Sequence, residues 1–125
     1  MSNFEHSTLV SDLKKSSKEI INELKPEQAD ALHMAVGIAG EAGELLDAIK
    51  KWSIYQKPLN LENVIEELGD LEFYMEGLRQ SLNLTRVQTL VENIAKLQKR
   101  YSKGQYSNDQ ANKRADKEMR VVQQD

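Results

Sequence analysis

The chain has 125 residues, 39% of them hydrophobic, with 17 Lys and Arg against 20 Asp and Glu, two His and no Cys; it reads as one globular domain with no disulfide framework, thiolate metal site or thiol nucleophile. No apolar run approaches the roughly 18 residues of a membrane span, and MSNFEHSTLV lacks the basic start and apolar centre of a secretory signal. The cytoplasm is therefore the expected location, that of the host cell if the source is viral, and a net charge of -3 argues against a general nucleic-acid binder.

Two prolines, six glycines and the lack of alternating β-branched runs predict an all-α fold. A first helix is expected over about residues 5 to 24, with Leu9, Leu13, Ile20 and Leu24 among its apolar positions. Pro26 fits the first turn of a second helix running to about Tyr55. Pro58 and Asn60 mark a break, and a third helix carrying Leu61, Val64, Ile65, Leu68, Leu71, Met75 and Leu78 ends near Asn83. Thr85 and Gln88 form a capping box for a fourth helix with Leu90, Ile94, Leu97 and Tyr101, which Gly104 stops. Beyond it, Ser107 and Gln110 can cap a short fifth helix, but the segment is too polar to bury a stripe of its own and is expected to pack on a partner subunit or to fray. One domain over 1–125 follows, with a four-helix core at about 5–104 and a polar tail at about 105–125. Charge is unevenly spread along it. Residues 1–95 carry -7 and residues 96–125 carry +4, so the two stretches are candidates to meet, directly or across a ligand.

Two acidic pairs stand out. Glu41 and Glu44 lie one turn apart on the second helix, and Glu67 and Asp70 repeat the device on the third. The spacer between them is long enough to finish one helix, turn, and return antiparallel, which would bring four carboxylates into one volume. Like charges about 4 Å apart repel by roughly 1 kcal/mol in water and several times that in a partly buried site. Such a cluster needs protons or a cation, and all-oxygen ligation selects Mg²⁺ or Mn²⁺. Gly37, Gly40, Gly43 and Gly69 sit beside the acids, each at a helix-propensity cost of about 1 kcal/mol relative to Ala, which predicts close approach of a neighbouring backbone or ligand there. A di-iron site is disfavoured because neither His6 nor His33 follows a Glu by three positions, and no Walker-type phosphate loop occurs.

Gly-Ile-Ala-Gly-Glu-Ala-Gly-Glu-Leu-Leu at 37–46, Glu-Glu-Leu-Gly-Asp-Leu at 66–71, and Asn93-Ile-Ala-Lys96 followed by Arg100-Tyr101 together resemble the MazG-like all-α nucleoside triphosphate pyrophosphohydrolases. This family includes the all-α dUTPase and dCTPase relatives, and the resemblance spans about residues 30 to 115. It implies a four-helix core assembled into homodimers or dimers of dimers, with the active site at or near the subunit interface. It also implies Mg²⁺ held by Glu41, Glu44, Glu67 and Asp70, and hydrolysis of a nucleoside triphosphate between the α- and β-phosphates. Metal ions would neutralise phosphate oxygens and activate a water, with Glu41 or Glu44 taking its proton. On the fourth helix, Lys96 and Arg100 share a face that can reach a polyphosphate, with Asn93 one turn earlier. Lys113 and Arg114 in the tail can close over the same phosphates. For the base, His33 and Trp52 each lie about two turns from the acids, roughly 12 Å along a helix, and Tyr101 is a further candidate. Helix-end packing of Trp52 and a core role for His33 remain the plain alternatives. The rival functions are a dUTPase-like or dCTPase-like phosphohydrolase of the same fold, and an inactive helical module whose acidic patch binds a basic partner.

Overall fold

The computed structural model describes residues 3–117 of the chain, and every regular element among them is an α-helix. The chain divides into two compact units between Leu78 and Arg79, inside one helix.

In the first unit, α1 (Asn3–Leu13) and α2 (Ser17–Glu23) replace the single helix expected over residues 5 to 24. The break is made by Ser16, whose extended backbone (φ -69°, ψ 145°) lets its Oγ accept the Glu19 N–H at 3.1 Å. A serine cap satisfies an amide that a continuing helix would have to bond elsewhere. No apolar residue lies between Leu13 and Ile20, but those two are seven apart and share a helix face, so one continuous helix with a polar turn fits the spacing as well as two helices do. Lys15 and Glu23 then pair at 2.5 Å across the break.

The long helix α3 (Pro26–Ser53) begins where Pro26 predicts, with Gln28 Oε1 accepting the Lys25 N–H at 2.9 Å. Near its end Asp47 and Lys51 form an exposed i,i+4 pair at 2.9 Å, and the Lys50 ammonium lies 5.3 Å from the Tyr55 ring centre. These basic residues suit the negative end of the helix dipole. Asn60 caps α4 (Leu61–Ser81), its Oδ1 accepting the Asn63 N–H at 3.1 Å.

Helices α3 and α4 run antiparallel, as their side-chain register shows. Met34 stands opposite Gly77, Gly37 opposite Tyr74, and Glu41 opposite Glu67 and Asp70. The expected close approach holds at only one of the four glycines beside the acids. A methyl group at Gly37 would fall on the Tyr74 ring, whereas around Gly40, Gly43 and Gly69 there is open space within the chain. Gly77, which the sequence did not single out, is the second close approach, filled by the Met34 thioether.

In the second unit, α4 closes in a Schellman motif around Asn83 (φ 56°), with Leu84 N–H donating to Arg79 O at 2.8 Å and Asn83 N–H to Gln80 O at 3.2 Å. The capping box then starts α5 (Arg86–Arg100): Thr85 Oγ1 accepts the Gln88 N–H at 3.1 Å and Gln88 Oε1 accepts the Thr85 N–H at 2.7 Å. Helix α5 ends at Arg100, and Gly104 (φ 73°) closes the following turn by donating to Tyr101 O at 2.9 Å. Ser107 caps α6 (Asn108–Lys113), the short fifth helix expected as the sixth element of a chain whose first helix is split. The tail was expected to pack on a partner or fray, yet α6 packs against α5 of its own chain. A polar segment can do this because its anchor is an ion pair, Arg100 with Asp116, in place of an apolar stripe. The tail residues 118–125 lie outside the described residues.

Among the described residues no apolar side chain is fully buried; the buried residues are Arg79 and Asp116, both in the second unit. The stripe of α5 is a plain case, with Val87, Leu90, Val91, Ile94 and Leu97 all left 40% or more exposed. No helix among the described residues is long and apolar enough to cross a membrane.

Candidate functional site

The antiparallel return of α4 brings Glu41, Glu67 and Asp70 together, each offering a carboxylate oxygen within 4.8 Å of the others. Glu41 and Glu67 are half-buried and Asp70 is exposed. The Glu67 carboxyl is pushed up from its ordinary 4.5 to about 7. A hydrogen bond shared with Glu41 contributes most, followed by burial and by the negative charges of Glu41, Glu44 and Asp70. Its Oε2 is sealed from solvent without a hydrogen-bond partner. Sealed oxygens with no donor are rare because desolvation is then uncompensated. A hard cation would supply what this oxygen lacks, and the all-carboxylate donor set suits Mg²⁺ or Mn²⁺.

Three of the four anticipated carboxylates thus converge. Glu44 stands outside that group and is exposed, yet close enough for its charge to raise Glu67. The next acid along, Asp47, is held below the usual carboxylate range by its bond to Lys51, which marks it as a surface ion-pair member.

The residues expected to meet phosphate belong to the second unit. Asn93 is exposed, Lys96 is half-buried, and both sit on the α5 face that also carries Arg100. Arg100 holds Asp116 through two bonds, Nε to Oδ1 at 2.9 Å and Nη2 to Oδ2 at 3.2 Å. Beside this pair the Asp116 carboxyl falls to about 2, chiefly through its bond to Arg100, while Arg100 is raised further. Arg114 joins the group, its Nε 3.8 Å from Asp116 Oδ1, on left-handed backbone (φ 52°) that ends α6. Lys113, its neighbour, is exposed.

Of the candidates for the base, His33 meets Tyr74 edge-on, ring centres 6.4 Å apart, which gives it a packing role in the first unit. Trp52 is 48% exposed near the end of α3. Tyr101 contacts Tyr106 (5.6 Å between centres) and, with Leu97, Gln98, Gly104 and Gln105, lines an open cavity of about 370 Å³ in the second unit.

Sequence reasoning missed Tyr74 and Asp116. Tyr74 sits one turn beyond Asp70 and sets the separation of the helices that carry the acids; the small residue at Gly37 was its only sequence signal. Asp116 is 16 residues from Arg100, and no helical spacing connects the two.

A family model described as the MazG nucleotide pyrophosphohydrolase domain matches residues 30–104, a span that takes in the acidic residues of α3 and α4 and the polar face of α5. Comparison with curated proteins and with solved structures gave no match.

Proposed function

The chain belongs to the MazG nucleotide pyrophosphohydrolase domain family, and from that premise we propose that it is an Mg²⁺-dependent nucleoside triphosphate pyrophosphohydrolase. It would cleave between the α- and β-phosphates to give a monophosphate and pyrophosphate, and so clear or adjust a nucleotide pool as a single catalytic domain in the cytoplasm. The observation that carries this reading is the convergence of Glu41, Glu67 and Asp70, together with a Glu67 carboxylate oxygen that has no hydrogen-bond partner.

Glu41, Glu67 and Asp70 would hold the cation, with Mn²⁺ as a substitute for Mg²⁺ and Glu44 completing the set or standing ready as a base. When bound, the metal supplies neutralisation of the triphosphate oxygens and a lowered pKa for a nearby water. Glu44, outside the close trio, is the carboxylate best placed by its freedom to take the water's proton. Arg100 offers its remaining N–H donors to a phosphate, Lys96 a point charge and Asn93 a neutral donor. Lys113 and Arg114 would add positive charge at the triphosphate, and His33, Trp52 and Tyr101 are the residues proposed to face the nucleoside.

The exposed apolar faces support assembly with further copies of the chain, as a homodimer or a homotetramer. One helix stripe left 40% or more exposed along its length forfeits roughly 25 cal/mol for each Å² that burial would remove from water, and a symmetric partner is the common way to recover it.

The test is a panel of ribo- and deoxyribonucleoside triphosphates incubated with Mg²⁺ and separated by chromatography, with an EDTA control. Metal-dependent release of monophosphate and pyrophosphate is the expected result. Orthophosphate as the sole product would redirect the assignment to a different phosphohydrolase chemistry. Silence across the panel, with no rise in melting temperature on adding Mg²⁺, would refute the enzyme assignment.

A further inference from the structure

We propose that Asp116 is a positioning residue, which fixes the Arg100 guanidinium at the angle in which its free edge receives the triphosphate. The inference rests on the hydrolase reading above and extends it to a residue that contacts no phosphate itself.

The geometry begins with the fork. Arg100 spends Nε and Nη2 on the two Asp116 oxygens, at 2.9 and 3.2 Å, so the plane of the guanidinium is set by two parallel bonds. Of its five N–H donors three remain, two of them on the outer edge away from the carboxylate. The carboxylate that does the holding is itself fixed: its side chain is 3% exposed, against 15% for that of Arg100. A guanidinium clamped from behind in this way keeps one orientation, whereas a free arginine on a helix surface samples many and must be ordered by its ligand.

Charge counting points to an anion as the missing component. Asp116 is one carboxylate facing two guanidinium groups, Arg100 and Arg114. At 3.8 Å the second is an ion pair without a hydrogen bond, and Arg114 Nε is sealed from solvent with no acceptor. The cluster is net positive by one charge. A phosphate at its open side, where the Arg114 side chain is 42% exposed, balances that surplus, and Arg with its planar fork is the side chain suited to it. A clasp that served only to pin α6 onto α5 would be complete with one arginine.

The test compares wild type with Asp116→Asn, Asp116→Glu, Arg100→Ala and the double variant Asp116→Asn/Arg100→Ala. The readouts are kcat and KM for a nucleotide that the wild type consumes, and the affinity for inorganic tripolyphosphate without metal, by calorimetry. Melting curves and circular dichroism confirm folding. Asp116→Asn should raise KM about tenfold with kcat within about twofold, and weaken tripolyphosphate by a like factor. Asp116→Glu, which keeps the charge but shifts the fork by a methylene, should fall between Asn and wild type. In the Arg100→Ala background, Asp116→Asn should change neither readout further.

Wild-type KM and tripolyphosphate affinity in a folded Asp116→Asn overturn the proposal, as does an effect that persists undiminished without Arg100. Should the Asn variant not fold, Asp116→Glu decides, since a KM equal to wild type overturns and a raised one supports. A wild type that consumes no nucleotide sinks the hydrolase reading alone, and the tripolyphosphate arm then still decides the role of Asp116.

Discussion

Replacing Gly37 with Ala probes both the packing of α3 on α4 and the acidic group one turn away. The added methyl would overlap the Tyr74 ring at Cγ as well as at its edge, so the ring as a whole has to move. It cannot swing freely, because Phe73 meets it at 88° with centres 5.1 Å apart and His33 meets it edge-on. Overpacking of this kind costs about 1–3 kcal/mol, and with the ring hemmed in we expect the upper end. Against it stands the helix preference of Ala, worth about 1 kcal/mol over Gly. The net loss is about 2 kcal/mol, or roughly 8 °C in melting temperature for a chain of this size. The same displacement separates Glu41 from Glu67 and Asp70, and because Mg²⁺ requires oxygens at about 2.0–2.1 Å, its affinity should fall about tenfold. Gly69→Ala is the control: with open space around it the methyl should add about 1 kcal/mol of stability. Metal-free denaturation and Mg²⁺ titration calorimetry measure both effects. A Gly37→Ala chain as stable as wild type, with undiminished Mg²⁺ affinity, would refute the reasoning.

Glu67, with a folded pKa near 7 against an ordinary 4.5, binds its proton more tightly folded than unfolded. Metal-free stability should therefore fall as pH rises from about 4.5 through 7 and level off above, and thermal melts at pH 5 and 8 check this. Glu67→Gln should flatten that slope. Glu44→Gln should leave Mg²⁺ stabilisation within about twofold in affinity while lowering kcat by about 10²–10⁴, the usual worth of a general base; loss of the Mg²⁺ response would make Glu44 an essential ligand instead. Thr85→Ala removes the oxygen that caps the Gln88 N–H and should cost about 1 kcal/mol, read by denaturant melts, with no change in KM.

What the sequence disclosed and what it withheld divide along range. Caps are local, and Thr85 with Gln88, Ser107 with Gln110 and Pro26 at a helix start all act where their spacing placed them. The acidic pairs were legible too, since helical period and one antiparallel return suffice to bring Glu41 opposite Glu67 and Asp70. Glu44 did not join at close range because both acids of α4 meet α3 at the turn of Glu41, and spacing within a helix carries no information about which turn faces the partner. The break at Ser16 was missed because Leu13 and Ile20, seven apart, keep one helix face across the polar stretch between them, although Ser16 followed by Glu19 is itself a local cap signal. Asp116 was hidden for the opposite reason: its partner is 16 residues away, and a polar tail offers no pattern from which to read a tertiary ion pair.

The exposure of the α5 apolar stripe has a consequence for how the proposed activity is measured. On the assembly proposed above, the hydrophobic contribution that holds the helices in place arises between copies, so folding and association become one mass-action equilibrium. Dilution then removes active sites rather than merely slowing encounters. Turnover per chain would climb with enzyme concentration until assembly is saturated, and a rate taken from a very dilute sample would report the supply of assembled enzyme more than the speed of its chemistry.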